Sequence, residues 1–209
     1  MAETPRTTTL IQGWIDRLRA GDETARDQLI NCCCDRLRLL TRKMLRRYPR
    51  VKRWEETDDV LQNVLLRLRR SLSQVTPASV ADFLRLASLN IRRELLDLVK
   101  RYCGPQGLAA RHSTRHDNPA SRETDSDLEQ AVDLSHEPSR LATWSEFHEK
   151  VGSLPNEERE VFDLIWYQGL SQAEAAQVLH ISERTLQRRW QAARVNLVEA
   201  LGGELPSED

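Results

Sequence analysis

Leu154-Pro-Asn-Glu-Glu-Arg-Glu-Val-Phe-Asp-Leu-Ile-Trp-Tyr-Gln-Gly-Leu170, Ser171-Gln-Ala-Glu-Ala-Ala-Gln-Val-Leu-His-Ile181 and Ser182-Glu-Arg-Thr-Leu-Gln-Arg-Arg-Trp-Gln-Ala-Ala-Arg194 run consecutively near the end of the chain. Ser171 and Glu174 have capping-box spacing, which predicts a helix starting just after Ser171. Ala175, Val178 and Leu179 give that helix a short apolar face. Ser182 is a second N-cap shortly downstream. Two helices this short, joined by a three-residue turn, must cross steeply, and Ala175 and Ala176 supply the small side chains a close crossing needs. That geometry points to a helix-turn-helix whose second helix enters a DNA major groove.

The second helix has two faces. Leu186, Trp190, Ala193 and Leu197 fall at helical spacing and form its inward stripe. The other face carries Arg184, Gln187, Arg188 and Gln191 near the N-terminal end. Arg offers a two-pronged donor set that matches guanine, and Gln a donor–acceptor pair that matches adenine. Thr185 belongs to the same turn, and Arg189 and Arg194 sit to the side, suited to phosphates. A solvated polar face on an ordinary helical hairpin is the bland alternative.

Charge is distributed unevenly along the chain. Residues 1–116 hold 23 Lys/Arg against 13 Asp/Glu, and the remainder holds 8 against 19. Between Arg36 and Arg53 there are nine Lys/Arg and no acid. Leu37, Leu40 and Met44 keep a helical stripe within that run, so the cations flank a packed face. A polyanion is the partner such a run implies, a solubilising surface being the alternative.

Every periodic segment is helical, so the expected fold class is all-α. Leu10, Ile11, Trp14, Ile15 and Leu18 form a first helix ended by Gly21. Ala25, Leu29, Cys33, Leu37, Leu40 and Met44 run through one long helix over about 23–47. A third begins near Thr57, with Val60, Leu61, Val64, Leu65, Leu68 and Leu72 inward. A fourth starts around Pro77 and carries Phe83, Leu84, Ala87, Ile91, Leu95 and Leu98. Residues 1–103 thus read as a four-helix domain. Residues 104–138 are rich in Pro, Gly and Ser/Thr, with seven acids against one arginine from Asp117 to Glu137, and read as a flexible acidic linker. Helix resumes at about Ser139, with Leu141, Trp144, Phe147 and Val151 inward, so residues 139–209 form a second small helical domain.

No stretch approaches the roughly 20 apolar residues of a membrane span, and the N-terminus lacks an apolar signal core; the expected location is the cytoplasm. Cys32, Cys33 and Cys34 are consecutive, so on a helix they point about 100° apart and cannot share an ion. Cys103 is remote, and His112 and His116 lack a third ligand. No metal, cofactor or catalytic residue is expected. Neither a glycine-rich phosphate loop nor an Arg/His constellation around Tyr48, Tyr102 or Tyr167 points to an enzyme.

With this layout, the chain resembles bacterial RNA polymerase sigma factors of the extracytoplasmic-function (ECF) class, over roughly residues 10–203. Two stretches carry the resemblance. Glu56-Thr-Asp-Asp-Val-Leu-Gln-Asn63 is similar to the acidic segment by which these proteins grip the polymerase clamp helices. Leu154–Leu201 is similar to their −35-binding domain, including the Ser-Glu-x-Thr start of the recognition helix. The resemblance implies a transcription initiation factor whose partners are core RNA polymerase (clamp helices and flap) and promoter DNA, with control by an anti-sigma factor, by expression level or by phosphorylation left open. It makes Glu56, Asp58, Asp59, Gln62, Asn63 and Arg67 the polymerase-binding strip. On a helix, Asp59, Gln62, Asn63 and Arg67 also share the face opposite the apolar stripe, although acids at a helix start serve capping as well. For the −10 element it implies the segment Ser73–Ser79 and the helix after it, with Thr76, Phe83, Arg85, Asn90, Arg92 and Arg93 as contacts. Phe83 stands where the family usually has tryptophan and Asn90 matches a common asparagine; the alternative is that Phe83 is core and Asn90 a surface residue. Arg85, Arg92 and Arg93 suit phosphates.

The sequence departs from the family pattern at His180, where glycine is usual, at Arg188, usually small, and at Ala192, often basic. A left-handed backbone at His180 would cost about 1 kcal/mol, and promoter sequence does not carry over from relatives. Two promoter elements two helical turns apart are separated by about 70 Å. A relaxed linker over 104–138 spans about 30–35 Å and an extended one about 115 Å, so it must be held extended, as an acidic strand threaded through a basic polymerase channel would be. A free-standing regulator binding duplex DNA unaided is the rival reading; it leaves the acidic strip and the linker unexplained. A recombinase and an adaptor that has lost DNA binding fit less of the chain.

Overall fold

The apolar spacings resolve into helices in a computed structural model that describes residues 4–45, 57–103 and 143–203. Helix α1 spans Thr4–Arg19, α2 Thr24–Leu45, α3 Thr57–Gln74 and α4 Val80–Cys103. Helix α5 covers 143–153. Helix α6, Asn156–Phe162, runs straight into a π-helical turn, Asp163–Tyr167; α7 is Gln172–Leu179 and α8 Glu183–Ala200. All regular structure among the described residues is helical, as the spacing predicts. The acidic segment 104–138, Met44 and the basic run beyond Leu45 lie outside the described residues or their described side chains.

Boundaries shift where local chemistry overrides periodicity. Ile11, Ile15 and Leu18 are buried, but Leu10 is exposed. It sits about 100° round the helix from Ile11 and so falls off the inward stripe. Helix α4 begins at Val80 rather than Pro77, because Ser79 caps it. The Ser79 hydroxyl oxygen accepts the Asp82 N–H at 3.2 Å and the hydroxyl donates to Asp82 Oδ2 at 2.9 Å. The expected start of α5 at Ser139 lies outside the described residues.

Two groups of helices result, α1–α4 and α5–α8. In the first, α2 packs against α1 and α3, and α3 against α4. The inward residues of the sequence stripes, Leu29, Leu37, Val64, Leu68, Phe83, Ile91 and Leu98, are all buried. In the second, an aromatic cluster ties α5, α6, the π-turn and α8 together. Phe162 stacks on Trp166 at 5.8 Å, meets Trp190 of α8 at 5.4 Å, and lies 6.0 Å from Phe147 of α5. Such pairs contribute about 0.5–1.5 kcal/mol each beyond their burial. The Tyr167 hydroxyl and His148 Nδ1 satisfy each other inside this cluster at 2.6 Å.

The groups are not separate in space. Helix α4 packs against the π-turn and against α7, and the buried apolar residues form one continuous cluster across both groups. Gly169, with φ of +63°, turns the chain out of the π-turn, and a Cβ there would meet Leu40 of α2 at 3.9 Å. Only glycine enters that backbone region without cost.

His180 does adopt the left-handed backbone, φ 54° and ψ 39°, and terminates α7. Replacing it by glycine should therefore stabilise the fold by about 0.5–1 kcal/mol, read as a rise of a few degrees in Tm; an unchanged or lower Tm would contradict the assigned strain.

Candidate nucleic-acid and partner interface

Helix α8 is held at both ends of its approach. Ser171 and Glu174 form the full capping box of α7: Ser171 Oγ accepts the Glu174 N–H at 3.3 Å, and Glu174 Oε2 accepts the Ser171 N–H at 2.8 Å. Ala175 and Ala176 are buried at the crossing. Ser182 caps α8, its Oγ accepting the Thr185 N–H at 3.1 Å. Leu186, Ala193 and Leu197 are fully buried, and Trp190 packs partly against them. This leaves Arg184, Gln187, Arg188 and Gln191 exposed at i, i+3, i+4 and i+7 along one face.

The flanking residues divide. Arg194 is exposed. Thr185 is half-buried, its hydroxyl paired with Ser182 at 2.8 Å, so it belongs to the cap. Arg189 turns inward to Glu157 of α6 at 2.8 Å, and Asn196 donates to Glu158 at 2.7 Å. Arg189 therefore fastens α8 to α6 in this arrangement rather than standing free for phosphate.

On α3, Asp58, Asp59 and Gln62 are exposed and Asn63 is half-buried. Glu56 lies outside the described residues. Asp58 is reached by Arg38 of α2 at 3.3 Å but stays 75% exposed, so the contact leaves its charge available. Arg67 departs from the expected strip. It bridges to Glu94 and Asp97 of α4, each at 2.6 Å, and Glu94 is almost wholly buried. That arginine locks α3 to α4. Its place on the surface is taken by Leu66, 44% exposed one helical turn beyond Gln62. Leu66 was missed although it lies off the apolar stripe, because the sequence reading of the strip took up only its polar side chains.

The segment before α4 and one face of α4 meet the second helix group. Thr76 and Arg93 are exposed. Phe83 is completely buried. Asn90 is buried too, donating to the Leu86 carbonyl at 2.8 Å and paired with Ser71 at 3.2 Å. Both are packing residues here, Phe83 because it falls on the inward stripe and Asn90 because α3 crosses over it. Arg92 is also withdrawn from solvent: its Nη1 donates to Asp163 Oδ1 at 3.3 Å, with side-chain exposures of 6% and 5%. Its guanidinium lies 5.5 Å from the Tyr167 ring centre. Arg85 bonds Glu160 at 2.8 Å and Asp82 at 3.4 Å. Gln168 donates to Ser88 Oγ at 2.9 Å and to the Leu84 carbonyl at 3.2 Å, while the Ser88 hydroxyl reaches the Asp163 carbonyl at 3.3 Å. Beside these contacts is a cleft of about 530 Å³, walled by Thr76, Pro77 and Leu89 on one side and by Gly152 and Arg159 on the other.

Cys32, Cys33 and Cys34 are free thiols, Cys33 buried. Among the described residues no helix is long and apolar enough to cross a membrane.

A family model described as ECF sigma factor matches residues 8–202, nearly the whole chain. No curated protein matches the chain.

Burial is the largest influence on Asp163 and pushes its carboxyl up to about 6; Arg92, Arg159 and Arg85 pull it back, and Glu160 adds to the rise. A group that holds its proton more tightly in the folded chain stabilises the fold below its ordinary value, 3.8, and loses that contribution as pH rises through about 6. The stability of the parent relative to Asp163→Asn should therefore be greatest near pH 4 and fall as pH rises through about 6, measured by denaturant unfolding; a pH-independent difference would contradict this.

Proposed function

The chain belongs to the ECF sigma factor family, a non-enzymatic class of transcription initiation factors, and we propose that it binds core RNA polymerase and directs it to promoters carrying −10 and −35 elements. The observation that carries the reading is the recognition face on α8. Arg184, Gln187, Arg188 and Gln191 are presented together on a helix capped at its start by Ser182, with the opposite stripe buried. Inserted in a major groove, these four side chains would read base edges of the −35 element, with Arg194 on phosphate.

In this reading residues 1–103 are the polymerase-binding and −10-reading domain, 104–138 the linker and 139–209 the −35-reading domain. The polymerase contact is the α3 strip, in which Asp58, Asp59 and Gln62 offer charge and hydrogen bonds around exposed Leu66. An acidic strip with an apolar centre suits a basic helical partner such as the clamp helices, because charges at the rim steer association and the apolar centre is desolvated. Glu56, outside the described residues, would complete the contact, and Arg67 supports the strip from behind through Glu94 and Asp97. Thr76 and Arg93, both exposed, would be available as −10 contacts, and the cleft beside Thr76 has the size to receive an unstacked base. Arg85 and Arg92 join them once released from Glu160 and Asp163. The protein would act in the cytoplasm with the polymerase, and an anti-sigma factor is the regulator typical of the family.

The first test is a pull-down and gel shift with bacterial core RNA polymerase. Core should be retained by the parent and lost with Asp58→Arg/Asp59→Arg, and promoter DNA should shift only when core is present. A protein that ignores core but shifts duplex DNA alone would make it a free-standing regulator. A second expectation concerns base reading: Arg188→Ala should weaken promoter binding by the holoenzyme by about 1–3 kcal/mol and relax sequence preference at one −35 position. Loss that is equal across all sequences would assign Arg188 to phosphate instead.

A further inference from the structure

The cleft beside Thr76 holds more chemistry than the promoter reading uses. Its volume, about 530 Å³, lies within the roughly 300–1,000 Å³ of small-molecule sites. Part of its lining is apolar. Leu86 and Leu89 lie about one turn apart on α4, each half-buried, and Val75 and Pro77 continue the apolar wall from the segment before that helix. Leucines left half in water at a concave surface gain from any apolar body that displaces that water.

Arg85, Arg92 and Arg159 line the same space. A guanidinium carries more N–H donors than these partners use. Arg92, almost wholly buried, spends Nη1 on Asp163, and Arg85 spends Nη1 on both Glu160 and Asp82. Arg159 differs from both. Its Nη1 donates to the Gly152 carbonyl at 3.0 Å and its Nη2 to Asn156 Oδ1 at 2.6 Å. Its bonded partners among the described residues are therefore uncharged oxygens. Asp163 feels the field of Arg159 but bonds Arg92. A cation placed this way at the wall of a cleft suits an anion from outside the chain.

We infer that the cleft binds a small aromatic phosphate monoester of nucleotide size, its ring against Leu86 and Leu89 and its phosphate on Arg159. A carboxylate would satisfy one guanidinium fork. A phosphate has a further oxygen, which can be shared with the unused donors of Arg85 and Arg92. The aromatic ring follows from the apolar wall, and guanidinium planes also stack on flat rings. The donors are fixed before the ligand arrives, because Gly152, Asn156, Asp163 and Glu160 already hold the three arginines in place. Little ordering cost is then left to binding. The inference goes beyond the promoter reading, which gives Leu86, Leu89 and Arg159 no role, and it does not depend on that reading.

The test is titration calorimetry on the full chain at physiological salt, with adenosine monophosphate and phenyl phosphate as probes. Adenosine and inorganic phosphate serve as the two halves of the ligand. Saturable binding of a single probe molecule per chain is expected, with each half weaker by about tenfold or more. Two variants then place the site. Arg159→Gln keeps a donor for the Gly152 carbonyl and removes the charge. Gly152→Glu sets a carboxylate on the same wall, where an added Cβ meets nothing within 4 Å. Glutamate is also the better helix former, so helicity by circular dichroism should hold. Each variant should weaken the probe by about tenfold or more. If Arg159→Gln loses helix, Gly152→Glu carries the comparison. Absence of saturable binding for both probes at millimolar concentration would overturn the site. Binding that the folded variants leave unchanged would also overturn it, by placing the probe on another basic surface such as α8. Inorganic phosphate bound as tightly as either probe would overturn the role of the apolar wall.

Discussion

The ion pair between Arg92 and Asp163 sets the arrangement of the molecule. Two charges taken from water stay together only if each is held in place, and the surroundings of this pair do that. Asp163 is fixed by the π-turn, whose extra residue per turn is clamped by Phe162, Trp166 and Tyr167 against α5 and α8. Arg92 is fixed by α4, which Arg67 ties to α3 through Glu94 and Asp97. Each helix group therefore builds one half of the pair from its own core. The pair in turn decides which face of α4 is covered, and that decision reaches the cleft, Arg85 and the exposure of α8.

How legible this was in the sequence depended on whether a signal is local. The caps at Ser171 and Ser182, the inward stripe of α8 and its exposed face are set by residues three and four apart, and each was readable. The strain at His180 was suggested by the resemblance, in which glycine is usual at that turn, and the left-handed φ of 54° is what such a turn takes. Burial of the stripes in α2, α3 and α4 followed from spacing alone. The π-turn was not readable: Asp163–Tyr167 has the apolar spacing of an α-helix, and the added residue is selected by the aromatic packing around it. Nor was the docking of the two groups, because the groups meet through Arg85, Ser88, Arg92, Asp163 and Gln168, which a periodic reading assigns to solvent.

The same distinction explains the site residues. Arg184, Gln187, Arg188 and Gln191 lie on a helix whose other face is filled, so their exposure follows from sequence. Arg67, Arg92 and Arg189 are long cations, and nothing local says whether each reaches solvent or a carboxylate on a neighbouring helix. Here each finds one: Glu94, Asp163 and Glu157. Phe83 was an aromatic at a functional position of the family and also a stripe residue of its helix, and in this arrangement the stripe decided its place.

The most direct measurement is the distance between labels on the two groups, introduced through non-natural side chains at the exposed positions Gln74 at the end of α3 and Val195 on α8. Pulsed electron paramagnetic resonance would be recorded on the free chain and on its complex with core polymerase and promoter DNA. The account predicts one narrow distance in the free chain and a lengthening on the order of 20 Å or more on assembly, as two readers move to elements about 70 Å apart. The same distance in both states, or a broad and long distribution in the free chain, would contradict it.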